Sequence, residues 1–357
     1  TKGTNMMNDH GGSIYRSSRL VLEDVPRIGY DIHLCPFSGT LYAYLRYVGD
    51  PQDYDYLMGI TGAAFCRLWN RDDGGNVGIL RYQNEPFRRA FAALGYGWHT
   101  VPASAGKETM VAEIAGSLAL GRPAISFGII GPPEPGLVVG YDENGAVLYG
   151  WSYFQDQREH YYESRDWFET MDVSRGAGPD GGVGLLIIGD KRPARPSERD
   201  TLLAALEWAL DLERTAHRPN LPDHLAGLAA YDGWADAMEV NADYPPDEPG
   251  TMGVRIMVHG DQCVMLEERH EAARFLRRIK AVAPRAADCL ESAAALYDQV
   301  GDLVTPLWPW PIDPGAGAMQ ALADPRTRRK LAAHVRAARA KEAEAVTHLE
   351  RALIELS

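Results

Sequence analysis

At 357 residues, 45% of them hydrophobic and 24% charged, the chain can form two units with real cores, and the disordered, collagen-like and membrane classes are excluded. Thirty-six basic against forty-nine acidic residues leave a net charge of −13, a field that repels phosphate backbones and anionic bilayers, so neither nucleic acid nor a membrane is an expected partner. Four cysteines, Cys35, Cys66, Cys263 and Cys289, stand singly and fit neither a disulfide scaffold nor a zinc spacing. They read as reduced thiols, which makes the expected location cytoplasmic, and neither a metal nor a cofactor is expected.

In chain order, residues 1–18 are polar and Gly/Ser-rich, a disordered lead-in. A short strand is expected over Arg19–Ile28. Leu41, Tyr44, Leu45 and Val48 then form one apolar helical face that Gly49 and Pro51 bring to a stop. Tyr54–Trp69 places glycines and small residues beside aromatics, a composition that allows close approach of backbone or ligand. After a loop at Asp72–Gly78, Phe87, Ala90, Phe91 and Leu94 mark a helix that Gly95 ends. Trp98–Val101 reads as a strand, and Lys107–Leu120 as a helix with Met110, Val111, Ile114 and Leu118 inward.

From Arg122 the period changes. Ala124–Ile130, Leu137–Tyr141, Ala146–Trp151 and Val183–Ile188 are apolar runs of buried-strand length, and Asp142-Glu143-Asn144-Gly145 is a hairpin turn. Helices followed by an antiparallel sheet make an α+β unit over residues 19–195, closed by a Pro- and base-rich linker at Lys191–Pro196. Residues 196–357 read as an all-α helical bundle. Its helices are expected over Leu202–Leu212, Leu225–Met238, Gly253–Ala283, Ala286–Leu303 and Arg326–Leu356, and a stiff Trp308-Pro309-Trp310 connector should lay two indoles against a neighbour.

Two motif matches fail on context. Gly176–Gly181 fits G-x-G-x-x-G but neither follows a clear strand nor opens a helix, and His270-Glu271-Ala272-Ala273-Arg274 has Arg where a second zinc ligand belongs. Cys35 is more informative, because it sits at the mouth of the first helix, where unpaired N–H groups and the helix dipole favour a thiolate. It is therefore a candidate nucleophile and the expected most reactive of the four thiols. A small buried hydrophobe is the alternative.

A Cys at a helix start, a helical half, and then strand, hairpin and strand with Leu137-Val138-Val139-Gly140-Tyr141-Asp142 resemble a papain-like cysteine peptidase fold. The order is more similar to the bacterial peptidase C39-like branch and the N-terminal family of butirosin biosynthesis protein H, over roughly residues 19–190. In that branch the nucleophile resembles Cys35, followed by a helix ending in Arg-Tyr-x-Gly, here Arg46-Tyr47-Val48-Gly49. The resemblance implies acyl transfer from a carrier protein to an amine. The sequence departs from it at three places: Glu134 stands where the His is usual, Gly150-Trp151 where an Asn or Asp is usual, and Gly29 where an oxyanion-hole Gln is usual.

The expected catalytic set is thus Cys35 with Glu134 or His259 as proton acceptor, Glu134 held by Pro132, Pro133 and Pro135 and His259 at a helix beginning or bend in the second unit. The expected substrate-binding residues are His33, Trp69, Trp151, Tyr231 and Trp234, in a cleft between the units. Glu267 and Arg269 read as a solvated helix face. Two functions follow: cysteine-dependent acyl transfer or amide or thioester hydrolysis on a small molecule in specialised metabolism, or a degenerate papain-like fold that only binds a small molecule. An acyl carrier protein and a second copy of the chain complete the expected partners.

Overall fold

The computed structural model describes residues 18–73, 78–171, 183–192, 194–310 and 315–356. The lead-in up to residue 17, most of the Asp72–Gly78 loop, the Gly176–Gly181 motif, Pro193 of the linker and Pro311 lie outside the described residues.

The elements run β1 (Leu20–Val21), α1 (Pro36–Tyr47), α2 (Tyr54–Thr61), β2 (Leu68–Trp69), α3 (Glu85–Leu94), β3 (Tyr96–Pro102), α4 (Lys107–Ala119), β4 (Ala124–Phe127), β5 (Pro135–Asp142), β6 (Val147–Trp151), β7 (Tyr162–Ser164), α5 (Trp167–Thr170) and β8 (Val183–Lys191). Then come α6 (Glu198–Arg214), β9 (Leu225–Ala226), α7 (Leu228–Glu239), α8 (Pro249–Glu267), α9 (Arg269–Val282), α10 (Ala287–Gly301), α11 (Val304–Leu307), α12 (Gly315–Ala323) and α13 (Pro325–Leu356). The fold is a mixed α+β one, as the order of periods requires.

Among the described residues the main sheet is antiparallel in the order β3-β8-β4-β5-β6-β7, with β1 added against β5. The β5–β6 hairpin turns through Glu143 and Asn144, both at positive φ, the handedness a tight hairpin needs. Helix α1 crosses the start of β5, where Thr40 Oγ1 donates to Pro135 O at 3.3 Å.

The strand expected over Arg19–Ile28 shrinks to Leu20–Val21, and the single helix expected over Gly253–Ala283 breaks at Glu268 into α8 and α9. Leu225 and Ala226 open no helix. They pair instead with Trp69 and Leu68, a two-stranded ribbon that crosses from one unit to the other. Residue 195 marks a change of architecture but does not divide two cores. One apolar cluster takes in Leu41, Leu137 and Leu186 of the α+β half together with Leu206 of α6, Phe275 of α9, Leu290 of α10 and Leu349 of α13. A second cluster, built on Trp234, Leu266, Val300 and Val335, lies among the helices, with Trp69 of β2 packed against it.

Candidate functional site

Cys35 caps α1. Its backbone is extended (φ −83°, ψ 111°), Pro36 fills the first helical position, and the Cys35 N–H donates to Tyr54 Oη at 3.1 Å. His33 lies against Tyr54 with ring centroids 4.0 Å apart and edge-on to Tyr42 at 4.6 Å. Tyr153 closes the other side of the helix start: a Cβ on Gly39 would stand 2.2 Å from its hydroxyl, so only glycine fits there.

Cys35 is 6% exposed, and its thiol donates to Ser38 Oγ at 3.6 Å. Burial raises the Cys35 thiol to about 12, the Glu268 carboxyl adds to the rise, and the N–H groups of Ser38 and Phe37 with the Ser38 hydroxyl act against it. The helix-start effect expected from sequence is present but outweighed. Cys35 is accordingly not the most accessible thiol: Cys66 and Cys263 are buried like it, and Cys289 alone of the four is half-exposed.

Glu268 was not singled out by any pattern in the sequence. It sits between α8 and α9, is 8% exposed, and burial pushes its carboxyl up to about 8 against the pull of Arg269 and Arg67. Its charge also acts on the Tyr54 phenol, which burial and Cys35 raise well above the ordinary tyrosine value. Cys35 and Tyr54 therefore sit together in one buried setting, and the field of Glu268, from the second unit, reaches both.

Glu134 lies at the head of β5 with its backbone folded tightly, its N–H donating to Pro132 O at 2.6 Å. Its side chain is half-buried and held: Tyr30 Oη donates to Glu134 Oε2 at 2.5 Å, and burial lifts the carboxyl to about 7 against that hydrogen bond. Tyr153 relates this acid to the nucleophile, because burial, then Cys35, then Glu134 raise its phenol. Tyr30 meets Tyr153 edge-on at 4.9 Å. A third acid, Asp261 of α8, is raised to about 8 by burial and by Glu134 and Asp73. Three carboxyls, two from the helical half and one from beside the sheet, are thus raised by burial, and of them Glu268 is the one whose charge acts on Cys35.

His259 is not part of this arrangement. It lies within α8 rather than at its start, with both ring nitrogens committed: Trp234 Nε1 donates to Nδ1 at 3.2 Å, and Nε2 is 2.8 Å from Leu307 O. Burial lowers its pKa to about 4, which leaves a neutral structural imidazole. Gly260 does not break α8 here; it makes room for Trp308, whose ring would lie 3.2 Å from a Cβ. Trp308 and Trp310 pack edge to face at 5.3 Å beside His259, as the Trp-Pro-Trp connector was expected to do.

The other expected binding residues divide. His33 is at the pocket, half-buried, and burial lowers its pKa. Trp151 is a pin, its Nε1 donating to Val25 O at 2.9 Å. Trp69 packs onto Gly233, Trp234 is closed into the helical core, and Tyr231 donates to Glu342 beneath the Arg67 guanidinium, which stacks 4.0 Å above its ring. Trp151, Tyr231 and Trp234 are buried, and Trp69 is half-buried.

Glu267 is exposed as expected, but Arg269 is fully buried. It donates to Ala64 O at 2.9 Å, Cys66 O at 3.1 Å and Phe65 O at 3.3 Å, capping a helical turn of the α+β half, and pairs with Glu342. Burial opposes the charge on Glu342, yet Arg269 and Arg67 outweigh it and hold the carboxyl below its ordinary value. Burial and then Glu342 raise Glu213 well above the ordinary carboxyl value, against the pull of Arg269.

No protein-family model matches the chain, and no match was found among curated proteins. The functional reading rests on the site itself.

Proposed function

We propose that the chain performs cysteine-dependent acyl transfer, or amide or thioester hydrolysis, on a small molecule, with Cys35 as nucleophile in a papain-like arrangement of residues 19–190. The observation that carries this reading is Cys35 at the cap of α1, its sulfur facing the N–H groups of Phe37 and Ser38 and the Ser38 hydroxyl, with α1 laid across the start of β5 at Glu134. Those donors suit negative charge on the sulfur.

Glu268 is the proton acceptor in this reading, in place of Glu134 or His259. As its carboxylate it takes the thiol proton while sulfur bonds to the acyl carbon. The proton passes to the departing thiol or amine, and water or an amine then attacks the acyl carbon, its own proton going through Glu268 to the Cys35 sulfur as the sulfur–acyl bond breaks. An acyl carrier protein is the proposed donor, and the cytoplasm the proposed setting. Because Glu268 is raised to about 8, acylation gains with pH up to that value.

A second reading, binding without chemistry, is favoured by the thiol's rise to about 12. Incubation with a short-chain acyl N-acetylcysteamine thioester separates the two by intact-mass spectrometry. The enzyme reading expects an acyl increment that maps to Cys35 and is absent in Cys35→Ala. An unmodified wild-type chain after prolonged incubation at pH 8 overturns it in favour of the binding module.

A further inference from the structure

Beyond Glu268, the Cys35 sulfur opens a run of hydroxyls that leads into the core. The thiol donates to Ser38 Oγ at 3.6 Å, Ser38 Oγ lies 3.5 Å from Thr61 Oγ1, and Thr61 donates to Leu57 O at 2.8 Å. Ser38 and Thr61 are both completely buried, so no bulk water competes for these contacts. Thr61 has one hydroxyl proton, and the carbonyl one helical turn back claims it. Its lone pairs face the Ala63 N–H, at 3.3 Å, and Ser38. The proton between Ser38 and Thr61 is therefore the one on Ser38. The order of donation runs one way, from thiol to Ser38, from Ser38 to Thr61, and from Thr61 to the backbone.

This order holds only while the sulfur keeps its proton. A thiolate has nothing to donate and needs a donor, and the nearest rotatable one is the Ser38 hydroxyl, which can point at the sulfur or at Thr61 but not at both. We propose that Ser38 is a hydroxyl rotor for Cys35, accepting from the thiol while Thr61 takes its proton and turning to donate to the sulfur when the thiolate forms, with Thr61 biasing it to the first position. No bond is made or broken by the turn; one hydrogen bond is exchanged for another. The proposal deepens the reading of Cys35 as a nucleophile and rests on it for its purpose. Its measurement is independent, because it reads the ionisation of the sulfur rather than turnover.

The rotor predicts opposite effects from two neighbouring changes, which a merely structural role does not. Removing the Ser38 hydroxyl takes away the thiolate's rotatable donor and leaves it the Phe37 and Ser38 N–H groups, whereas removing the Thr61 hydroxyl frees Ser38 to face the sulfur. The titratable and charged groups around the sulfur are Glu268 with Arg269 beside it, Tyr54 of α2, Cys66 and Tyr153, and neither change alters them.

The experiment is carbamidomethylation of the full chain by iodoacetamide at fixed pH, with Cys35 and Cys66 quantified separately by peptide mass spectrometry. Cys66 is the internal reference, since it is buried nearby and reports any general opening of the core. The Cys35 rate relative to Cys66 is expected to fall at least about tenfold in Ser38→Ala, to rise by a comparable factor in Thr61→Val, and to stay at the wild-type value in Thr61→Ser. If Thr61→Val does not fold, Thr61→Ala carries the same expectation. Ratios that move in the same direction in Ser38→Ala and the Thr61 variant, or a Thr61 variant indistinguishable from wild type, overturn the rotor. Loss of the acyl-enzyme with these opposite shifts intact overturns the proposed function alone.

Discussion

Arg269 of α9 holds Glu342 of α13 through Nε at 3.0 Å and Nη2 at 2.6 Å, and the rest of its guanidinium caps three carbonyls of the α+β half. One side chain therefore joins the last helix to the segment that follows α2. Arg269→Ala leaves Glu342 buried without its cation and three carbonyls without their donor. A loss of about 3–5 kcal/mol is expected, the cost typical of breaking a buried pair. The urea midpoint measures it. An Arg269→Ala chain as stable as wild type would show that the network is incidental.

Thiol labelling should follow exposure rather than helix position. Cys289 is expected to react first with limiting iodoacetamide near neutral pH, with Cys35 behind it, because Cys35 is buried and its thiol raised to about 12. Residue-resolved mass spectrometry decides, and first labelling at Cys35 would mean that the pocket opens freely in solution.

Tyr30 donates to the Glu134 carboxyl and so favours its ionised form. Tyr30→Phe should move the Glu134 titration above its value of about 7, and Glu134→Gln should abolish that titration with little change of shape. Carbon-13 NMR of the glutamate carboxyls follows both. If the proposed function holds and Glu134 only positions ligand, Glu134→Gln weakens substrate binding and leaves the acyl-enzyme step intact.

Stability should fall as pH rises above about 6.5. Glu134, Asp261 and Glu268 have folded pKa values near 7, 8 and 8, above those of exposed carboxyls, so the folded chain binds more protons than the unfolded one until pH passes those values. Their stabilising effect is complete only at low pH and is lost as pH climbs through the folded pKa. His259, lowered to about 4, works in the opposite sense below about 6.5, which confines the clean window to higher pH. Thermal midpoints from pH 6.5 to 8.5 measure the slope. It should flatten in Glu268→Gln, and an unchanged slope would locate the linkage elsewhere.

Much of the fold was legible because it depends on local period. Leu41, Tyr44 and Leu45 are fully buried on α1, Met110, Ile114 and Leu118 lie inward on α4, and the strand, hairpin and strand run stands where its apolar runs predicted. The site was legible only in part. Cys35 announced itself by its place before a helix and Glu134 by its prolines. Glu268 and Arg269 did not, because a charged pair at a helix junction looks the same whether it faces water or a partner 73 residues further along the chain. His259 was expected at a helix beginning or bend and lies inside α8, where the indole of Trp308 packs beside Gly260.

The apolar cluster that unites Leu22 and Val25 with Leu349 and Ala352 also constrains how the chain acquires its structure. Contacts that distant in sequence close late, since a long loop must be ordered before any of them forms. As synthesis proceeds, the sheet half emerges first, with the carbonyls of Ala64, Phe65 and Cys66 lacking their guanidinium and Glu268 not yet beside Cys35. The surroundings of the thiol are then unfinished until α8 and α9 have left the ribosome, and a nascent chain stalled before those helices should hold an exposed cysteine and a sticky sheet face.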